Sequence, residues 1–179
     1  MSGLVTRIHR LVWIALMAAL ISVGAFIAVP IGPVPITLQT LFVLLAGLLL
    51  GVRGGVLAVA LYLAAGCLGL PVFAGGKAGV AVLLGPTGGF LLGFIPSAAC
   101  CGLARHLRLR SYPLVLALCF AATALTLLPG MFRLMSVLNI GPEKALAAGV
   151  IPFLPGGLAK CLAAAAIYKF MTARKLLPL

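Results

Sequence analysis

The sequence predicts an all-α membrane protein with six transmembrane helices. Of its 179 residues, 64% are hydrophobic and only 8% are charged, and the mean hydropathy is +1.33. Soluble domains average roughly 45–50% apolar and about 25% charged residues, so this composition excludes a soluble fold. Thirteen lysines and arginines against a single acid, Glu143, leave a net charge of +12. These cations lie at the ends of apolar segments, so we interpret the charge as membrane topology and expect no nucleic-acid binding.

Six apolar segments are candidates for helices that cross the bilayer, which need about 17–25 residues. The predicted spans cover residues 11–29, 36–50, 54–70, 87–104, 113–136 and 153–171. The second segment is short, and the positive-inside rule decides whether it crosses the membrane. Six spans with a cytoplasmic N-terminus place nine cations inside and four outside, whereas omitting the second gives six against seven. The inner cations are Arg7, Arg10, Arg53, Arg105, Arg108, Arg110, Lys169, Arg174 and Lys175, and the outer ones are Lys77, Arg133, Lys144 and Lys160. We therefore predict a single multi-pass domain, residues 1–179, in lipid of the plasma (inner) membrane, with both termini cytoplasmic.

The predicted outer connections, residues 30–35, 71–86 and 138–157, hold nearly all the Pro and Gly clusters. The richest stretch, Pro71–Phe90, includes Gly75 and Gly76. Irregular backbone beside membrane-length segments is tolerated where it is buried in protein or lines a cavity. This stretch is either the wall of a small-molecule site or a turn that reverses the chain. An irregular, polar outer face above an apolar body is typical of ligand capture.

Four polar residues near the outer ends of the spans are candidate ligand contacts. Lys160 follows Pro155–Gly157. A helix that begins at these residues would leave backbone N–H groups unpaired, and such groups favour anions. Lys160 either meets an anionic ligand from the first turn or extends to the headgroups. Arg133 has the same two options, with the headgroups favoured. Gln39 and Thr37 either bind a ligand or cap the second span, and we expect the cap for Thr37.

Catalytic and metal chemistry have no support in the sequence. The five cysteines lie inside apolar segments without metal-ligand spacing, and no Ser/His/Asp or Cys/His set is placed for catalysis. The nearest approach to a phosphate-binding loop, Gly76-Lys77, has Pro71 where glycine is required. We therefore predict no enzyme, no metal and no cofactor, and a partner that supplies energy if a solute is moved uphill.

Four segments carry a resemblance to a known family. They are PVPITLQTLFVLLAGLLLG (33–51), GLPVFAGG (69–76), LLGPTGGFLLGF (83–94) and IPFLPGGLAK (151–160). In this order they resemble the BioY family, the biotin-specific substrate-binding S components of energy-coupling factor (ECF) transporters. The resemblance implies a six-helix S-component bundle whose outward-facing cavity captures biotin beneath outer loops.

The resemblance also implies partners: a transmembrane coupling subunit and two ATPase subunits. Ala15 and Ala19, four residues apart in the first span, resemble the surface that such proteins present to the coupling subunit. Small residues at this spacing also serve ordinary packing within one chain. Because some members of the family move biotin without a dedicated coupling module, a homo-oligomer remains open.

The expected substrate-binding set combines these motifs with the polar candidates. It comprises Gln39, Phe73, Gly75, Gly76, Lys77, Thr87, Phe90, Arg133, Gly157 and Lys160. Two residues depart from the family pattern: Phe90 stands where the family has tyrosine, and Gly157 where it has aspartate. Loss of the acid removes an acceptor for a ureido N–H of biotin, worth roughly 1–3 kcal/mol. The alternative function is therefore binding of another small carboxylate or a biotin precursor, or a non-binding assembly subunit.

Overall fold

A computed structural model describes residues 2–109 and 111–178, of which Ser2 and Gly3 are described by backbone only. Its elements are α1 (Ser2–Phe26), β1 (Ala28–Val29), β2 (Ile36–Thr37), α2 (Gln39–Cys67), α3 (Val80–Leu84), α4 (Gly88–His106), α5 (Tyr112–Leu138), α6 (Pro142–Gly149) and α7 (Phe153–Ala173). The two strands pair antiparallel, with Ala28 opposite Thr37 and Val29 opposite Ile36. Arg110, which the topology prediction counts on the inner side, lies outside the described residues, as do Met1 and Leu179 at the ends of the predicted domain.

Gly51 divides α2 into two arms that run antiparallel. Its φ of 74° and ψ of −178° interrupt the helix, and only glycine adopts that conformation without strain. The side-chain amide of Gln39 reaches the Tyr62 hydroxyl at 2.5 Å, although residues that far apart on a straight helix are about 34 Å apart. The predicted spans 36–50 and 54–70 therefore correspond to the arms 39–50 and 52–67.

The helices are long and apolar enough for a multi-pass membrane protein. Among the described residues, four helical segments are candidate membrane spans: Leu4–Phe26 within α1, and all of α2, α4 and α5. Helices α6 and α7, bent by 48° at their junction, qualify together as a fifth. This count of four or five is lower than the six predicted spans because α2, which reverses at Gly51, is counted as one helix.

The core of the bundle lies where α2 packs on α1 and α4, and α4 packs on α5. Helix α7 closes it against α2 and α5. Cys101, Cys119 and Cys161 are fully buried in the largest apolar cluster, whereas Cys67 and Cys100 are half-buried. All five thiols are free. Within residues 2–109 and 111–178, no group of histidine, cysteine and acidic side chains is arranged to hold a metal ion.

Two expectations about helix starts are wrong. Helix α7 begins at Phe153 with Pro152 as its N-cap, so Pro155–Gly157 lie inside the helix and Lys160 lies in its third turn. The amides of Phe153 and Leu154 already bond to the carbonyls of the preceding turn, at 2.9 and 3.2 Å. This helix therefore does not present free backbone N–H groups to a ligand at Pro155–Gly157.

Thr37 does not cap α2. The N-cap is Leu38, which makes no side-chain cap bond, and its amide donates to the carbonyls of Gly24 and Ile27 at 3.0 and 3.1 Å. The Thr37 hydroxyl donates instead to Oε1 of Gln39 at 3.1 Å. Thr37 ends strand β2, where it pairs with Ala28, so it lies one residue before the N-cap position.

Candidate ligand-binding site

A cavity of about 100 Å³ lies at the Pro/Gly-rich end of the bundle. Its lining residues come from the β1–β2 connection, the start of α2, the loop between α2 and α3, α3, the start of α4, the middle of α5, and α7. They are Pro33, Val34, Pro35, Thr37, Gln39, Thr40, Phe73, Ala74, Lys77, Val82, Thr87, Phe90, Leu91, Phe94, Thr126, Leu127, Phe153 and Lys160. The cavity thus combines two cations, several neutral polar groups and an aromatic wall.

Lys160 brings a positive charge from α7 across to the end of β2. The side chain is half-buried, and Nζ donates to the backbone carbonyl of Thr37 at 2.6 Å. That carbonyl is neutral, and Glu143, the sole acid of the chain, is exposed on α6 outside the cavity lining. The charge of Lys160 therefore faces the cavity without a carboxylate to balance it, which suits an anionic ligand.

Gln39 is held rigidly at the floor of the cavity with 3% of its surface exposed. Its Nε2 donates to the Tyr62 hydroxyl at 2.5 Å, and its Oε1 accepts from the Thr37 hydroxyl at 3.1 Å. A primary amide has two N–H donors, so one remains for a ligand. Thr126, 2% exposed, adds a hydroxyl from α5 that donates to the Ala122 carbonyl at 3.4 Å and keeps its acceptor capacity.

Aromatic rings form the apolar wall. Phe90 and Phe153 stack at 5.8 Å between centroids with an interplanar angle of 23°, and Phe73 packs edge-on against Tyr62 at 5.6 Å. The Cζ atom of Phe90, where a tyrosine would carry its hydroxyl, lies toward Gly149, 3.5 Å from the position of a methyl group built there. The hydroxyl that this chain lacks would therefore lie near Gly149 at the end of α6.

The stretch Pro71–Phe90 forms part of the cavity wall. Its first half is a tight turn in which the Phe73 amide donates to the Lys77 carbonyl at 3.1 Å and the Gly76 amide donates to the Phe73 carbonyl at 3.0 Å. Gly75 and Gly76 have φ of 75° and 70°, a left-handed conformation that favours glycine. They shape the turn and stay outside the lining, while Phe73 lies in it and Lys77 at its exposed rim.

Arg133 and Gly157 also lie outside the lining. The Arg133 guanidinium donates to the carbonyl of Leu84, at the end of α3, and its buried Nε has no partner among the described residues. A methyl group built on Gly157 would lie 3.7 Å from Cγ2 of Thr123, so this glycine faces α5 with room for a methyl group. Of the ten expected residues, the cavity brings together Gln39, Phe73, Lys77, Thr87, Phe90 and Lys160.

Comparison with known proteins explains this architecture. The family model for BioY matches residues 1–177. The chain belongs to the BioY family. Among curated relatives, the biotin transporter BioY of Thermotoga maritima is 42% identical over 159 residues, covering 89% of this chain and 93% of that protein. The biotin transporter BioY of Rhodobacter capsulatus is 44% identical over 161 residues, covering 82% and 84%.

A solved structure shares the fold of this BioY-family chain. The crystal structure of the S-component for biotin from an ECF-type ABC transporter superposes with a TM-score of 0.87 and 27% sequence identity, covering 97% of each chain. The predicted resemblance to BioY and the helical S-component fold are thereby confirmed. The family is one of membrane transporters, so the expectation of a non-enzymatic, multi-pass membrane protein also holds.

Several lining residues of this BioY-family protein escape prediction from the sequence. Thr40, Thr126, Phe94 and Phe153 lie on helices whose inward faces depend on packing. The one feature of the sequence that could indicate Thr126 is a hydroxyl inside an apolar span. Thr123 has the same feature but contacts Cys161 at 3.3 Å, so the feature does not distinguish a lining residue. Ala15 and Ala19, the expected partner contacts, are both exposed on α1.

Proposed function

We propose that this chain is the membrane-embedded substrate-binding component for biotin uptake, capturing biotin at the outer face. The observation that carries the proposal is the convergence of Lys160, Gln39 and the Phe90–Phe153 wall on one cavity. The names of the relatives as biotin transporters, and of the structural neighbour as an S-component for biotin, point to the same ligand.

The chemistry of biotin fits the character of the lining. Its valerate carboxylate matches the ammonium groups of Lys160 and Lys77, and its ureido ring offers two N–H donors and one carbonyl acceptor. The hydroxyls of Thr87 and Thr126 and the free N–H of Gln39 complement such a ring, and its apolar body suits the phenyl rings. Ligand pockets usually measure about 300–1,000 Å³. The cavity is smaller than that range, so biotin entry requires the lining to widen.

The proposal includes six spans with both termini in the cytoplasm, formed by one domain over residues 1–179. The two arms of α2 supply the second and third spans. The first arm, 39–50, is roughly 18 Å long at 1.5 Å per residue, against a hydrocarbon core of about 30 Å. Its Gln39 end therefore lies below the outer surface, and the loop 71–87 covers it. The excess of cations at the other ends of the helices supports this orientation.

Transport against a gradient requires partners under this proposal. The chain carries no nucleotide-binding loop, so an ECF transmembrane coupling subunit and two ATPase subunits supply the energy. Ala15 and Ala19, exposed on α1, form the contact with the coupling subunit, because small side chains allow close approach of another helix. A homo-oligomer is the alternative arrangement, and co-purification with and without the coupling module distinguishes the two.

Isothermal titration of biotin into the detergent-purified chain tests the function. We expect saturable binding. Absence of binding by protein that unfolds cooperatively on heating would overturn the proposal. A second candidate, favoured by Gly157 in place of the family's aspartate, is binding of a biotin precursor or another small carboxylate. The same titration with those compounds separates the two, because only the second candidate predicts that they bind more tightly than biotin.

A further inference from the structure

A recess of about 640 Å³ lies at the opposite end of the bundle from the ligand cavity, where α2 reverses. Its lining residues are Gly51, Val52, Arg53, Gly102, Leu103, Arg105 and His106. Two arginines and a histidine thus share one opening between the α2 reversal and the end of α4. Biotin capture at the other end makes no use of them.

Among the described residues, no carboxylate lines this recess to balance its charge. Arg105 donates to the carbonyl of Leu49 and, at 2.8 Å, to that of Pro178, and both acceptors are neutral. The side chains of Arg53 and His106 are exposed and form no hydrogen bond or ion pair with any described residue. Glu143, the single acidic side chain of the sequence, lies on α6 outside the lining of this recess. The described residues therefore leave this recess open to an anion from outside the chain.

An exposed apolar track leads away from the cations. Leu57 and Leu61 follow Arg53 at four and eight residues along the second arm of α2, so all three share one helix face. Leu57 is 51% exposed, and Leu61 is 46% exposed. Leu103 lines the recess itself and is 39% exposed. A basic recess with an apolar track on membrane-spanning helices matches the two ends of a phospholipid.

We propose that this recess binds the phosphate group of an anionic phospholipid, with Arg53 and His106 donating to its oxygens and Arg105 behind them. Basic pockets between transmembrane helices on the cytoplasmic side bind such headgroups. Soluble phosphate shares the anion chemistry, but only a lipid uses the leucine track. The proposal is independent of the ligand bound at the other end.

Native mass spectrometry of the purified full chain tests this site with phosphatidylglycerol and phosphatidylcholine as probes. We expect selective retention of phosphatidylglycerol, reduced about fivefold in Arg53→Gln because one cation near the membrane surface is lost. Arg108→Gln is the matched control, since Arg108 is exposed at the same end but lies outside the recess lining. Equal retention by the parent and both variants overturns the proposal.

Two further measurements keep the result interpretable. His106→Gln provides a second variant, expected to weaken retention, if Arg53→Gln does not fold. Biotin affinity of each variant should equal that of the parent, which separates this site from the ligand cavity. Bound phosphatidylglycerol that resists displacement by inorganic phosphate supports a lipid as the source of the anion. Its displacement by inorganic phosphate overturns the lipid assignment.

Discussion

The ammonium of Lys160 lies 2.6 Å from the carbonyl oxygen of Thr37, and this contact joins α7 to the end of β2 beside the ligand cavity. A lysine ammonium has three donors, so this bond leaves two for other acceptors. The backbone carbonyl orients the side chain without neutralising it. Lys160 is therefore held in position as a cation before a ligand arrives, which reduces the ordering needed on binding.

Replacement of this cation should weaken biotin binding strongly. Lys160→Met keeps an unbranched side chain but removes the charge, and hydrogen bonds to charged groups contribute about 1.5–3 kcal/mol. We expect affinity measured by isothermal titration to fall roughly ten- to hundredfold. Lys144→Met, on an exposed residue of α6 outside the cavity lining, is the control and should bind as the parent does. Parent-like binding by Lys160→Met would contradict the assignment.

Tyr62 supports the cavity from below through Gln39. Tyr62→Phe removes the acceptor of the 2.5 Å bond and leaves a buried amide N–H unpaired. Such a loss costs about 1–3 kcal/mol. We expect a lower thermal unfolding midpoint in detergent. Tyr112→Phe is the matched control, because its hydroxyl makes an exposed, 3.4 Å bond to the Leu162 carbonyl. Equal midpoints for the two variants would show that the Gln39–Tyr62 bond stabilises the fold no more than the exposed bond of Tyr112 does.

The later helices are predictable because apolar length alone defines them. The predicted spans 87–104, 113–136 and 153–171 became Gly88–His106, Tyr112–Leu138 and Phe153–Ala173. The first prediction, 11–29, differs at both ends. Its helix starts by Ser2, and it ends at Phe26 because Ala28 and Val29 pair with the strand Ile36–Thr37. That pairing is a long-range contact, and no local pattern in an apolar run predicts it.

The candidate site is predictable where a polar group stands out in an apolar setting. Gln39 and Lys160 are such residues, and both line the cavity. Phe153 and Phe94 resemble core residues in sequence, and only the packing of α4 and α7 reveals that they face the cavity. Gly157 was expected at the mouth of a helix. Because α7 begins earlier, this glycine faces Thr123 of α5.

Gly51 should be intolerant of a side chain because the reversal of α2 depends on it. Its φ of 74° with ψ of −178° is essentially restricted to glycine, and other residues pay about 1–3 kcal/mol there. We expect Gly51→Ala to lower the thermal unfolding midpoint. Gly156→Ala is the control, since its methyl group would meet Ile36 at an ordinary 3.8 Å within a regular helix. Parent-like stability of Gly51→Ala would mean that the reversal does not need this conformation.

We expect Arg133 to stabilise the loop above the cavity and not to contact the ligand. Its guanidinium bonds the Leu84 carbonyl at the end of α3, so Arg133→Gln should increase hydrogen–deuterium exchange in Val80–Leu84. Lys144→Gln, exposed at the same end, should leave that exchange unchanged. Loss of biotin binding without any change in exchange would instead indicate a direct ligand contact, contrary to the position of Arg133 outside the lining.

Gly157→Asp tests how the absence of the family's aspartate affects biotin affinity in this protein. A Cβ at this position would lie at an ordinary van der Waals distance, 3.7 Å, from Cγ2 of Thr123. In the proposed binding mode the valerate carboxylate of biotin lies at Lys160, so a carboxylate added one turn before Lys160 competes with the ligand for that ammonium. Hydrogen bonds to charged groups contribute about 1.5–3 kcal/mol. We therefore expect affinity measured by isothermal titration to fall roughly tenfold or more. Gly156→Asp, which adds the same charge facing Ile36, should bind as the parent does. Tighter binding by Gly157→Asp would mean instead that the new carboxylate accepts a ureido N–H of biotin, and that the absence of the family's aspartate weakens binding in this chain.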